Sequence, residues 1–302
     1  DPSRPSIRCM SLQGDRAAAA EGRLSGPSRT SQVVALTRAQ LSRPHAPAGD
    51  PRAQRLLCDG MRPAEVPGLR ASLAARTRFF DEQVLAAIAA GITQVVILGA
   101  GYDDRALRFS SPGVLFVEVD HPATQADKAA RLGALHTAAS RPVLAAADFG
   151  TDDVAAVLAD AGQHRGRPSL FLCEGLLVYL DQQVTTRLLT SLLASAAPGS
   201  VLAASLAVHA DGLDSGRVAR AANARRRSAS AEPWRTILPV ARQLALLAGA
   251  GWRVTGQLDA AELDPDAEPG RSLLVAAVPA DGGGQPGSRS SANSARWSLP
   301  GS

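Results

Sequence analysis

The sequence predicts an α/β fold: a doubly wound, mostly parallel sheet that closes on an antiparallel C-terminal strand pair. Three observations carry this. Five short apolar runs between residues 94 and 208 alternate with helix-forming stretches, which is the rhythm of parallel strands joined by right-handed crossovers. The first run, Gln94-Val95-Val96-Ile97-Leu98, stops at Gly99-Ala100-Gly101 and gives way to helix-forming Arg105-Ala106-Leu107-Arg108. Two later runs, Trp252–Gly256 and Arg271–Val278, have only a polar loop between them, and strands without a crossover helix pair most easily antiparallel.

In chain order, residues 1–26 mix Pro, Ser, Gly and Arg without an apolar period, which predicts disorder or an upstream extension. From about Ser28 to Ala48 a helical pattern has Val33, Val34, Leu36 and Leu41 as its apolar side, and Pro44 and Pro47 stop it. Pro51, Pro63 and Pro67 punctuate residues 49–70, which hold one short helix at Ala53–Cys58. Leu69 to Gly91 is helical again, and Gly91 suits a C-cap. Strands are expected at 94–99, 113–120, 142–147, 169–174 and 200–208, with helices at 122–134, 152–161 and 181–196. Residues 210–236 are polar and Arg-rich, 238–249 is helical, and the Gly/Ser/Pro/Arg tail should be disordered. The expected organisation is an extension at 1–27, one domain at 28–280 and a tail at 281–302. Within the domain, 91–208 is the strand-and-helix core, flanked by 28–90 and 209–240, and 241–280 is the last helix and strand pair.

At 302 residues with 45% hydrophobic content, the chain can bury a large core. Its net charge of +4 and pI near 9.5 come from arginines spread along the chain, with one cluster at Arg225-Arg226-Arg227. No groove-reading motif accompanies them, so nucleic acid is not an expected partner. Cys9, Cys58 and Cys173 have neither metal-ligand spacing nor a disulfide framework. No uncharged run reaches the ~20 residues of a membrane helix and no signal-peptide core is present, so the expected setting is cytoplasmic, without a membrane partner.

The loop at Gly99-Ala100-Gly101 lets backbone N–H groups approach a ligand, because neither glycine has a Cβ in the way. Asp103 and Asp104 follow, placed to cap the next helix. A pyrophosphate loop would need a third glycine where Asp104 stands, and an acid there suits a cationic cofactor better. Asp120 ends the second strand, 21 positions after Gly99, where an acid accepts hydrogen bonds from ribose hydroxyls. Glu118 lies on the same face but deeper, and a buried acid there needs a partner. Asp148 ends the third strand beside Phe149, a pair suited to an adenine amino group and its ring. Glu174 interrupts the apolar run Leu170–Leu180 and calls for a cation, from a ligand or from an arginine. Arg76 shares a helix face with Phe79 and Phe80, which suggests a buried carboxylate partner. His121, Tyr179 and His209 are the candidate proton acceptors. No Ser/His/Asp arrangement, Walker loop or metal spacing is present, which argues against hydrolase and kinase chemistry.

These residues together resemble the leucine carboxyl methyltransferase family, including its bacterial S-adenosylmethionine-dependent and polyketide O-methyltransferase branch. The resemblance spans about residues 28–279. It is carried by Ser28–Leu36, Arg76–Asp81, Gln94–Arg108, Glu118–Pro122 with Lys128, Ala147–Phe149 and Glu174–Leu180. One departure is Asp104, where the family usually has Thr. The resemblance implies a class I methyltransferase, Rossmann-like sheet of seven strands with a helical lid formed by 28–90 and 209–240 over the cofactor-binding core at 91–208, and S-adenosyl-L-methionine as cofactor. It implies Arg76 on the methionine carboxylate, with Gly99 and Gly101 in the loop beneath. Asp120 would take the ribose, Asp148 and Phe149 the adenine, and Glu174 another polar part. The expected activity is O-methylation of a carboxylate or hydroxyl on a small molecule. The rivals are a nicotinamide (NAD-type) oxidoreductase on the same architecture and a cofactor-binding scaffold without turnover.

Overall fold

A computed structural model describes residues 26–62, 69–226 and 232–280. The expected disorder at both termini, Pro63 and Pro67, and Arg227 of the basic cluster lie outside these residues, as does the side chain of Arg226.

The chain begins with α1 (Arg29–Arg38), α2 (Ala53–Leu57) and α3 (Leu69–Ala89). Ser28 caps α1 by accepting the Ser31 N–H. This helix ends well before Pro44, earlier than the apolar pattern suggests. The stretch beyond it is turned instead to bring Arg43 onto Asp81 and Asp104. Gly91 closes α3 at φ +86°, a left-handed value that a side chain would resist.

The core follows in the expected alternation: β1 (Gln94–Leu98), α4 (Arg105–Arg108), β2 (Leu115–Asp120), α5 (Pro122–Ala134), β3 (Val143–Ala146) and α6 (Val154–Asp160). Then come β4 (Leu170–Cys173), a 3-10 turn at Leu177–Tyr179, α7 (Gln182–Ala194) and β5 (Val201–His209). Within the polar, Arg-rich run 210–236 the chain forms α8 (Ser215–Arg226). Leu238 and Pro239 make a short strand, β6, beside β5, so the following helix α9 starts at Val240 and ends at Gly249. The final pair is β7 (Trp252–Asp259) and β8 (Ser272–Pro279), antiparallel as expected. β7 runs past the expected end at Gly256 as far as Asp259, with a bulge between Val254 and Gly256.

The sheet order is β3-β2-β1-β4-β5-β8-β7, a path of seven strands, with the short β6 added as an eighth beside β5. Along β1 the side chains alternate: Val96 and Leu98 join one core cluster with Phe171 and Trp252, while Val95 and Ile97 join another with Phe80 and Leu172. Each face is covered by helices, and Trp252 donates its indole N–H to Leu189 O at 2.9 Å. Both faces being filled, the carboxyl ends of β1, β2, β3, β4 and β5 are left to shape a cleft.

Candidate functional site

A cleft of about 1070 Å³ opens at those strand ends. It brings together Arg76, Gly99, Gly101, Asp120, His121, Asp148, Phe149, Glu174 and Tyr179, residues scattered over about a hundred positions of chain. His209 is not among its lining residues. Its Nδ1 faces Ala210 O at 2.7 Å and must donate there, so Nε2 accepts from the Ser215 hydroxyl at 2.8 Å. Both ring nitrogens are spent on the start of α8, which removes His209 as a proton acceptor in the cleft.

Gly99 and Gly101 hold φ of +63° and +50° in the turn after β1. A Cβ on Gly99 would sit 2.9 Å from Leu176 Cδ1, and one on Gly101 would sit 2.7 Å from Ser31 Oγ. The loop is thus a cradle closed from above by α1. Gly101 N–H is accepted by Asp120 Oδ2 at 2.6 Å, and His121 N–H by Asp120 Oδ1 at 2.6 Å. Burial pushes the Asp120 carboxyl up, and these two N–H groups partly offset it. His121 rather than Asp120 caps α5, its Nδ1 accepting the Ala123 N–H at 3.4 Å. Asp148 is exposed and accepts the Gly150 N–H at 2.8 Å, with Phe149 half-buried beside it.

Glu174 finds its cations within the chain. Arg38 Nη2 donates to Oε1 at 2.7 Å, Arg76 Nε to Oε1 at 3.1 Å, and Arg105 Nη1 to Oε2 at 2.6 Å. Burial opposes its charge, but the three arginines outweigh that and hold the carboxyl well below the usual range. Arg105 also reaches Asp81 at 2.7 Å and Asp103 at 2.5 Å, fully buried over the Phe80 ring.

Asp104 does not face the cleft. It is fully buried, with Arg43 at 2.5 Å and Arg108 at 2.7 Å, and its side chain makes no helix-cap bond. The expectation that Asp104 selects a cationic ligand is therefore corrected: neutralised and enclosed, it cannot repel a phosphate. Asp103 does serve the helix start, accepting the Arg105 N–H at 2.8 Å.

The linked network holds Arg38, Arg43, Arg76, Arg105 and Arg108 against Asp81, Asp103, Asp104 and Glu174, leaving one positive charge in excess. Arg76 is the most exposed of these arginines, at 16% against 7% or less for the others. Gly175, at φ +64°, packs beside this guanidinium, where a Cβ would lie in ordinary contact at 3.5 Å from Nη2. Sequence patterns alone do not single out Arg38, Arg43 and Arg105. Their one signal is the surplus of apolar-flanked acids, which requires cations from somewhere in the chain. Among the described residues, no group of three or more His, Cys, Asp and Glu could hold a metal ion. No described helix is long and apolar enough to cross a membrane.

The strand order, the terminal antiparallel pair and the cleft at the β1/β4 switch define the Rossmann-like fold of class I methyltransferases. The model of the leucine carboxyl methyltransferase family matches residues 27–193, and the chain belongs to that family. A provisionally named S-adenosyl-L-methionine-dependent methyltransferase of Mycolicibacterium vanbaalenii is 39% identical over 202 residues, covering 64% of this chain and 65% of the relative. A similarly named protein of Parafrankia sp. is 43% identical over 136 residues, covering 45% of this chain and 44% of the relative. The chain thus matches about half to two thirds of the length of these relatives. A crystal structure from Thermobifida fusca, named provisionally as a methyltransferase, shares the fold at TM-score 0.56 and 20% identity. The match covers 89% of this chain and 100% of that one.

Proposed function

We propose that the chain binds S-adenosyl-L-methionine in this cleft and transfers its methyl group to an oxygen of a small molecule, a carboxylate or a hydroxyl. The observation that carries the reading is the one positive charge in excess in the arginine–carboxylate network, whose most exposed arginine, Arg76, lines the cleft beside the glycine cradle. An amino-acid carboxylate is the natural complement of such a charge-assisted donor. The names of the curated relatives support the same cofactor.

In this reading Arg76 holds the carboxylate, and Glu174, held ionised by Arg38 and Arg105, accepts from the neighbouring ammonium. Gly99 and Gly101 keep the loop close to the ligand. Asp120 retains lone pairs for ribose hydroxyls after accepting its two backbone N–H groups, and donors there would favour its ionised form. Asp148 and Phe149 take the adenine. When bound, the cofactor supplies an already electrophilic methyl, so the chain's task is to hold the acceptor oxygen in line with it. A carboxylate acceptor arrives ionised and needs no base. A hydroxyl would call on a base; the Ala123 N–H on Nδ1 of His121 favours the tautomer that carries its hydrogen on Nε2, which leaves that ring no free acceptor and Tyr179 as the remaining candidate in the cleft.

The nicotinamide rival draws no support from the loop after β1. It leads into α4, a single turn of four residues, too short for the helix dipole that a pyrophosphate site uses. Calorimetry with S-adenosylmethionine, S-adenosylhomocysteine and NAD tests the proposal. The first two should bind, with affinity lost in Arg76→Ala, and NAD should not. Binding of NAD alone would overturn the methyltransferase reading.

A further inference from the structure

We propose that the lid half of the cleft takes an amphipathic small molecule with an apolar body and an anionic group, which Arg225 and Arg235 meet at the mouth. The proposal rests on the methyl-transfer reading above and names the chemical class of the acceptor.

Space is the first argument. A drug-sized ligand fills a pocket of about 300–1,000 Å³. At 1070 Å³ the cleft has room for a second ligand beside a nucleoside cofactor. Away from the glycine loop its walls are apolar: Val34 from α1, Val178 from the 3-10 turn, Val218 and Ala222 from α8, and Trp234 and Ile237 from the segment that follows.

The second argument is how α8 is turned. Val218, Ala222 and Arg225 stand at i, i+4 and i+7 and share one helix face, and all three line the cleft. That face presents two apolar side chains in line with one cation. Asn223 fastens the helix to the next segment, donating to Trp234 O at 2.9 Å and accepting the Trp234 N–H at 2.7 Å. The tryptophan is therefore fixed against α8, with Arg235 beside it.

Charge decides the chemistry. Of the other charged groups at the mouth, Arg271 is paired with Glu268 at 2.8 Å. Glu232 and Asp181 line the same cleft; the charge of Glu232 acts on Asp120, and Asp181 caps α7 by accepting the Val184 N–H at 2.9 Å. Asp266 lies with Glu268 and Arg271 in the loop before β8. Residues Ser215–Arg226 contain no acid. Arg225 and Arg235 are exposed, line the cleft, and make no ion pair among the described residues. Two guanidinium forks beside an apolar wall complement a carboxylate, sulfonate or phosphate on an apolar frame.

Fluorescence titration with two probes of the same body tests this, with and without saturating S-adenosylhomocysteine. They are 8-anilino-1-naphthalenesulfonate and uncharged N-phenyl-1-naphthylamine. The sulfonate should bind about tenfold more tightly than the uncharged probe. Arg225→Gln with Arg235→Gln should erase that margin and leave the uncharged probe and S-adenosylhomocysteine unaffected. Trp234→Ala should weaken both probes. Equal binding of the two probes by the unmodified protein, or a sulfonate affinity indifferent to the double substitution, would overturn the proposal. Failure of S-adenosylhomocysteine to bind, with the probes behaving as expected, would remove the cofactor reading and leave the anion site standing.

Discussion

Asp120 Oδ2 accepts the backbone N–H of Gly101 at 2.6 Å, clamping the tip of β2 to the loop that leaves β1. The same carboxylate holds the start of α5 through the His121 N–H at 2.6 Å. One side chain therefore both shapes the glycine cradle and stands in the cleft, so its two roles should be lost together.

Replacing Asp120 with Ala removes charge-assisted bonds to two backbone donors and to any ribose hydroxyls. Each such bond contributes about 1.5–3 kcal/mol. S-adenosylhomocysteine affinity, read by calorimetry, should fall tenfold or more, and the melting temperature should drop by several degrees. A folded Asp120→Ala protein with undiminished affinity would place the ribose elsewhere in the cleft.

The enclosure of Asp104 leads to the opposite expectation. This carboxylate joins Arg43, which enters before α2, to Arg108 at the end of α4. Breaking a buried ion pair from one side costs about 3–5 kcal/mol. Asp104→Asn should thus lower the urea midpoint strongly while S-adenosylhomocysteine affinity in the folded protein stays within about twofold. Weakened affinity at unchanged stability would show that Asp104 acts on the ligand after all.

The contrast between these two aspartates marks what a sequence can reveal. Asp120 is legible because its position follows from local rules: a strand, its last residue, and a fixed distance from a glycine loop. The alternation of apolar runs makes the sheet legible for the same reason, and the missing helix between β7 and β8 makes their antiparallel pairing so. Asp104 misleads because proximity to Gly101 along the chain says nothing about which way the turn throws the side chain. The arginine network is more remote still, since Arg38 and Glu174 are 136 positions apart and leave no periodicity. α8 escapes notice because its apolar residues are few among arginines, and its pattern becomes meaningful only once Val218 and Ala222 have a cleft to face. β6 is two residues long and exists only as a partner to β5. His209 looks available at a strand end, but the chain returns and occupies it with Ser215.

Beneath the glycine loop, Lys128 Nζ bonds Glu118 Oε2 and donates to Asp103 O at 2.8 Å. Glu118 is fully buried and its Oε1 has no hydrogen-bond partner among the described residues. Burial pushes this carboxyl from 4.5 up to about 7, against the pull of Lys128. The raised value sets the sign. Between about pH 4.5 and 7 the native chain retains a proton that the unfolded chain has released, so stability falls as pH rises through that window. Asp104 and Glu174 work the other way, because their carboxyls are held low. Their contribution is complete above the ordinary carboxylate range and drains away as pH drops below it. The two effects favour a stability maximum on the acid side of neutrality. A tenfold difference in proton affinity between the folded and unfolded chain corresponds to about 1.36 kcal/mol. Urea unfolding at about pH 5, 6 and 7 should therefore show a decline of roughly 1–3 kcal/mol. The paired substitution Glu118→Gln with Lys128→Met removes this titrating group without stranding a buried charge, and should shrink the decline to what the raised Asp120 carboxyl contributes. An equal decline in the substituted protein would mean that the pH dependence arises elsewhere.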